Sequence, residues 1–345
     1  MKAVKAIRTP GGLSLRIDPR SLVVSLLLAA VTVAAGVVLI GSGDFPISPG
    51  EVVATLLGNG TQAQEFIVQD LRLPRVLVGL LVGASLALSG AIFQSISRNP
   101  LGSPDVIGFG QGATVGALGV IVLFDGGALA VAGGAVVGGL VTGVGVYVLA
   151  WKRGVHGYRL VLVGIGIAAM LTAANHYLVT KASLVEATQA TLWMTGSLDG
   201  RDWAQVWPLL GVFAALVPLI LAHGRQLRML EMGDDAAYAL GVPVERTRLV
   251  LMGSGVLLIA VATAAAGPIA FVALSAPQLA RRLTRSPGPN LAAASVMGAA
   301  LLLIADWAAT TGFGDRQLPV GVVTGVLGGC YLLWLLVTVR KAGRI

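Results

Sequence analysis

Few residues in this chain have the types and spacing that reaction chemistry needs. Its three histidines, His156, His176 and His223, stand on separate segments, and no histidine or cysteine pair has metal-ligand spacing. The single cysteine, Cys330, lies inside an apolar run, which excludes an internal disulfide and a cysteine cluster and leaves it a small packing residue. No Gly-Lys pair occurs, so there is no G-x-x-x-x-G-K-[ST] loop to cradle phosphates, and any ATP hydrolysis belongs to another polypeptide. The sequence therefore predicts no catalytic residue, no metal and no cofactor. One carboxylate, Asp306, sits deep in apolar sequence, where a bare charge costs at least about 2.5 kcal/mol in lipid. It reads either as the proton relay of a gradient-driven carrier or, the favoured reading, as a structural residue solvated by interfacial water beside Thr310, Thr311 and Gly312. Asn175 and His176 are the next polar residues in apolar surroundings.

The other place where function concentrates is polar. Residues 225–248 read RQLRMLEMGDDAAYALGVPVERTR in a chain that is 56% hydrophobic and only 12% charged. Glu231, Asp234 and Asp235 precede a run of strong helix formers, residues 236–240, which Gly241 and then Pro243 terminate. Acidic residues suit the positive end of a helix dipole, and Gly followed by Pro suits a helix stop. The segment is predicted to form a short helix outside the membrane, with a solvated loop as the alternative.

The elements that must position these residues are membrane spans. So apolar a chain lacks the polar surface to cover a soluble globule, and the expected class is an all-α polytopic membrane protein. Lys2, Lys5, Arg8, Arg16 and Arg20 precede an uncharged run at 21–43, long enough to cross about 30 Å of hydrocarbon and longer than a signal-peptide core. Further runs occupy 76–97, 106–124, 126–151, 160–180 and 203–224. After the polar segment, 249–280 is uncharged for 32 residues, about 48 Å as one helix, which is too long for one span. Basic residues flank it on both sides, so it must cross and return, with Gly267-Pro268 marking the turn and a shorter helix starting near Phe271. Runs at 286–305 and 317–339 complete ten spans.

The distribution of Lys and Arg supports that topology. With the N-terminus inside, Arg72, Arg75, Lys181, Arg201 and Arg316 fall outside and the other 19 of 24 fall inside, as the positive-inside rule requires. Both termini and the 225–248 segment are then cytoplasmic. The net charge of +8 thus sorts across a membrane, and no nucleic-acid partner is expected. Five spans on either side of the fifth-to-sixth loop allow an inverted repeat. Glycines four apart recur at Gly79/Gly83, Gly108/Gly112/Gly116, Gly134/Gly138, Gly139/Gly143 and Gly321/Gly325/Gly329, which lets helices approach closely within the bundle.

Five motifs in order carry a resemblance that covers nearly the whole chain. They are LRLPR at 71–75, SGAIFQSISRNPLGSPDVIGF at 89–109, LEMGDDAAYALGV at 230–242, GPIAFVALSAPQLARRL at 267–283 and QLPVGVVTGVLGG at 317–329. The chain resembles the FecCD-type permeases of binding-protein-dependent ABC importers, which move iron–siderophore complexes, haem and cobalamin, and within them the ferric-enterobactin permease subunits.

The resemblance implies one permease domain over 1–345 in the plasma (inner) membrane, with 225–248 as a coupling segment. It implies cytoplasmic ATP-binding subunits, a second permease subunit, here a paralogue rather than a second copy, and an extracytoplasmic siderophore-binding protein. Glu231, Gly233, Asp234, Asp235, Ala236, Leu240 and Gly241 match the element that docks on the ATPase. Arg72, Arg75 and Arg316 match arginines that meet carboxylates of the binding protein; their other reading is as headgroup anchors. Gly157 and Tyr158 fall where the inner gate is expected, although a bulky Tyr there, and Gln278 where the family commonly has His, depart from the pattern.

Overall fold

The structure, a computed structural model, describes residues 5–8, 14–152, 154, 157–313 and 317–341. A short antiparallel hairpin, β1 (Lys5–Arg8) and β2 (Ser14–Ile17), pairs Lys5 with Ile17 and Arg8 with Ser14. Alternation of apolar and polar residues in KAIR and SLRI is strand-like, and it modifies the all-α expectation at the N-terminus alone among the described residues.

The rest is helical. Asp18 caps α1 (Pro19–Gly41), accepting the amide of Arg20, with Pro19 at the first position. α2 (Pro49–Leu56) opens on a capping box in which Ser48 and Glu51 satisfy each other's amides. Hydrogen bonds from the Ser48 hydroxyl and amide hold the Glu51 carboxyl below its usual pKa. α3 (Gln62–Glu65) runs through a π-helical turn, Phe66–Arg72, into α4 (Leu73–Ser97). Then come α5 (Pro104–Ile107), α6 (Phe109–Phe124), α7 (Ala128–Ala150), α8 (Gly157–Lys181), α9 (Leu184–Met194) and α10 (Trp203–Ala222). The polar segment holds α11 (Gly224–Leu230) and α12 (Asp234–Ala239). α13 (Val244–Ala266), α14 (Val272–Thr284), α15 (Leu291–Thr311) and α16 (Val320–Lys341) follow.

Each of the ten predicted segments overlaps one of the longer helices. Among the described residues, seven helical stretches are both long and apolar enough to cross a membrane. α6 and the Val320–Trp334 part of α16 are apolar but shorter. α14 is shorter still and carries Arg281 and Arg282.

The predicted break in the 249–280 run is real. α13 stops at Gly267, whose φ of 73° is a conformation that side-chain-bearing residues avoid. Phe271 then adopts φ 69°, at a cost of roughly 1–2 kcal/mol for a residue with a Cβ, and α14 starts behind it. The helix has no side-chain cap; the carboxyl of Asp105, in α5, lies against the Phe271 backbone.

α4 is the axis of the bundle, buried along most of its length, with α13, α14 and α15 closed around it. Small residues make this possible. A Cβ on Gly83 would strike the backbone of Gly298 in α15, and one on Gly90 would strike the Ala273 carbonyl of α14. The predicted ladders at Gly112/Gly116 and Gly134/Gly138 interlock across α6 and α7, and Gly139 and Gly143 lie against Ala260 and Val256 of α13. The last ladder divides: Gly321 packs on the Thr195 carbonyl, whereas Gly325 and Gly329 face open space. Cys330 is exposed rather than packed, because α16 has few neighbours on that side.

Candidate functional site

Two clusters of charged residues lie at the two ends of α4. At one end, LRLPR places Arg72 on the π turn and Arg75 one turn into the helix. The Arg72 guanidinium donates to the carbonyls of Ile40 (2.7 Å) and Phe45 (2.9 Å), so it holds the C-terminal end of α1, where free carbonyls attract a cation. Arg75 clamps Asp306 with two donors, Nε at 3.0 Å and Nη2 at 2.9 Å, and reaches Asp199 at 3.5 Å. The Asp306 side chain is 2% exposed, so the expectation of a water-solvated carboxylate is corrected: a paired guanidinium, not water, compensates its charge.

Both arginines line a cavity of about 590 Å³ whose wall includes Asp44, Asp70, Asp199, Arg201 and Asp202. Arg201 donates to the Ser197 carbonyl at 3.2 Å, and burial holds its pKa below the usual arginine value. The carboxylates here are exposed while the arginines are engaged with protein atoms. Arg316 lies outside the described residues.

At the other end of α4 stands the polar segment. Gly233 (φ 115°) and Gly241 (φ 77°) bracket α12 and supply turns that disfavour a Cβ. A small core of Leu230, Ala237, Val242 and Val244 seats the helix. Its acidic residues point in different directions. Glu231 Oε1 accepts from the Ser95 hydroxyl (2.7 Å) and from Arg281 of α14 (3.1 Å). Asp234 Oδ1 accepts from Arg248 of α13 (2.9 Å) and lies 3.6 Å from Arg98. Arg248, 2% exposed, also donates to Glu245 at 2.7 Å. Asp235 and Leu240 project into solvent with Met232 and Tyr238, while Ala236 is half-buried.

Sequence reasoning singled out this segment but missed its body-side partners Ser95, Arg98, Arg248 and Arg281, and the exposed apolar pair Met232 and Tyr238. The available signal was the inventory of charge: the carboxylates of this segment need cations in so apolar a chain, and arginines stand at the neighbouring span ends.

The remaining candidates lie nearby. Gly157 opens α8 against the backbone of Ser97, 2.7 Å from where its Cβ would be, and Tyr158 is 81% exposed. Its neighbour His156 lies outside the described residues. Gln278 donates to the Pro100 carbonyl at 2.8 Å, tying α14 to the loop after α4. Among the described residues no group of three His, Cys, Asp or Glu side chains could hold a metal ion.

Comparison with known proteins agrees over nearly the whole chain. The FecCD transport family matches residues 23–338. The ferric enterobactin transport system permease protein FepG of Escherichia coli (strain K12) is 48% identical over 93% of this chain and 97% of its own length. The iron(3+)-hydroxamate import system permease protein FhuG of Bacillus subtilis (strain 168) is 35% identical over 90% of this chain and 96% of its own. A solved metal-chelate type ABC transporter chain in an inward-facing conformation superimposes with a TM-score of 0.79 at 25% identity, covering 92% of this chain and 99% of that one.

Proposed function

The chain belongs to the FecCD transport family, as a permease subunit of an ABC importer for iron–siderophore complexes in the plasma (inner) membrane, and on that premise we propose that it carries a ferric siderophore of the catecholate class from an extracytoplasmic binding protein into the cytoplasm. The catecholate class rests on the 48% identity to a ferric enterobactin permease. In this reading all ten helical segments cross the membrane, both termini are cytoplasmic, and residues 1–345 form one permease domain. The permease itself supplies geometry and no covalent chemistry; ATP is hydrolysed by a partner.

The observation that carries the reading is the free face of the 225–248 segment. Met232, Tyr238 and Leu240 are each more than half exposed on a polar loop, beside Asp235. An exposed apolar cluster rimmed by charge is a surface for another protein, and membership of a family of ABC-importer permeases points to an ATP-binding subunit. At the far end of α4 the binding protein seats over the 590 Å³ mouth, with Arg72, Arg75 and Arg316 as its basic contacts. α8 exposes Gly166, Ala169, Ala173 and His176, a thinly covered surface suited to a pathway wall, with Gly157 and Tyr158 at its inner end as the gate. A second permease subunit, a paralogue as in enterobactin-type systems, forms the opposite wall.

The gradient-driven alternative finds no support at Asp306, whose two oxygens are both taken by Arg75. The test of the reading is on the free face. Asp235→Lys and Leu240→Asp are expected to abolish co-purification of the ATP-binding subunits and siderophore uptake while the permease still inserts. Unchanged uptake by both variants would sink the docking role.

A further inference from the structure

Resting on that reading of the 225–248 segment, we infer that Glu231 and Asp234 face away from the ATP-binding subunit and serve as two distinct linkages to the bundle: Asp234 is the pivot and Glu231 the drive on α14. The two carboxylates stand three residues apart but engage different helices in different ways.

Asp234 meets Arg248, whose side chain is 2% exposed and also holds Glu245, with Arg98 of the α4 end close by. A buried guanidinium shared between two carboxylates resists displacement, because moving either leaves charge uncompensated. This contact fixes the start of α12 against α13.

Glu231 is held differently. One oxygen, Oε1, receives both Ser95 and Arg281, and the Glu231 and Arg281 side chains are 23% and 32% exposed. Water can replace such contacts during motion. Its helical partner, α14, is a helix separate from α13: Gly267 ends α13 and left-handed Phe271 precedes α14. A displacement of Glu231 acts through Arg281 on a 13-residue helix whose backbone ladder does not continue into α13. Arg281 and Ser95 are thus positioning residues for transport: they touch neither cargo nor nucleotide, and they transmit.

The test is a double-mutant cycle on Glu231→Gln and Arg281→Gln, made in the complete importer with its partners in proteoliposomes. Ferric enterobactin is the probe, and uptake per ATP hydrolysed is the readout. Each single variant is expected to lower that ratio about tenfold, within the range of intersite coupling. The double variant is expected to lower it no further, because one linkage has been cut twice. Co-purification of the ATP-binding subunits, measured in the same samples, is expected to persist. Unchanged ratios, or losses that multiply in the double variant, would overturn the linkage. If the single variants lose assembly, the swapped pair Glu231→Arg with Arg281→Glu must restore assembly and ratio together, and failure to do so also overturns it. Failure of the docking reading itself has another signature: Leu240→Asp would then leave the ATP-binding subunits bound.

Discussion

Both ends of α4 carry arginines that meet carboxylates, yet the two ends are built to opposite purposes. At the Arg75 end a single guanidinium grips both oxygens of a fully buried carboxylate, and Arg72 closes on backbone carbonyls that cannot move away. At the polar-segment end the contacts differ in kind: one oxygen of the part-exposed Glu231 serves two donors, whereas Asp234 meets the buried Arg248, with Arg98 more distant. Bidentate, desolvated pairs are stiff, whereas single-oxygen, half-exposed pairs exchange readily with water. The contrast separates a stiff lock that ties α4 to α15 from the looser Glu231 contact on which the proposed linkage rests.

Breaking the lock should have the largest effect. Asp306→Ala leaves Arg75, whose side chain is 20% exposed, without its main partner and is expected to destabilise the protein by up to about 3 kcal/mol, while replacing both residues with apolar ones restores most of it. Thermal unfolding in detergent reads this, and a harmless Asp306→Ala would mean that the pair is no lock. Glu231→Ala should cost at most about 1 kcal/mol in the same assay, since its ion pair is half-exposed, yet remove most uptake. Equal stability losses at Glu231 and Asp306 would erase the distinction between the ends. Arg72→Gln is expected to lower stability by roughly 1 kcal/mol through lost carbonyl bonds. Arg72→Glu should in addition weaken binding-protein association, most strongly at low salt. The smallest effect is that of pH on α2. The Glu51 carboxyl titrates below its usual value, so its capping contribution is present above the ordinary carboxylate range and is lost as pH falls through the depressed pKa. Loss of Ser48 amide protection in acid, measured relative to the intrinsic exchange rate at each pH, with the lock unaffected at neutral pH, is the expected readout.

Much of this architecture was legible before any coordinates. The excess length of the 249–280 run and its Gly267-Pro268 pair located the break, because a helix length in lipid is bounded by the bilayer. Gly241, followed by Pro243, stood out as the stop of α12. Pairing across the fold was not legible. Arg75 and Asp306 are 231 residues apart, and nothing local to either names the other. An inventory argument could have found them, since a carboxylate at that end of an apolar bundle needs a cation and few are present there. The split of the acidic cluster was hidden for a related reason. Whether Glu231 or Asp235 faces the bundle depends on the angle at which α12 docks, set by Ala237 and its apolar neighbours rather than by charge. The short hairpin at the N-terminus was passed over because its basic residues were read only as a flank to the first span.

The central claim is that this permease works under the power of an ATP-binding partner. The direct measurement is uptake of radio-iron ferric enterobactin into proteoliposomes containing the assembled importer and its binding protein, with either ATP inside or an imposed proton gradient and no ATP. The account predicts uptake with ATP in the presence of an uncoupler and none with the gradient alone. Uptake that follows the gradient without ATP, and that Asp306→Asn abolishes, would contradict it.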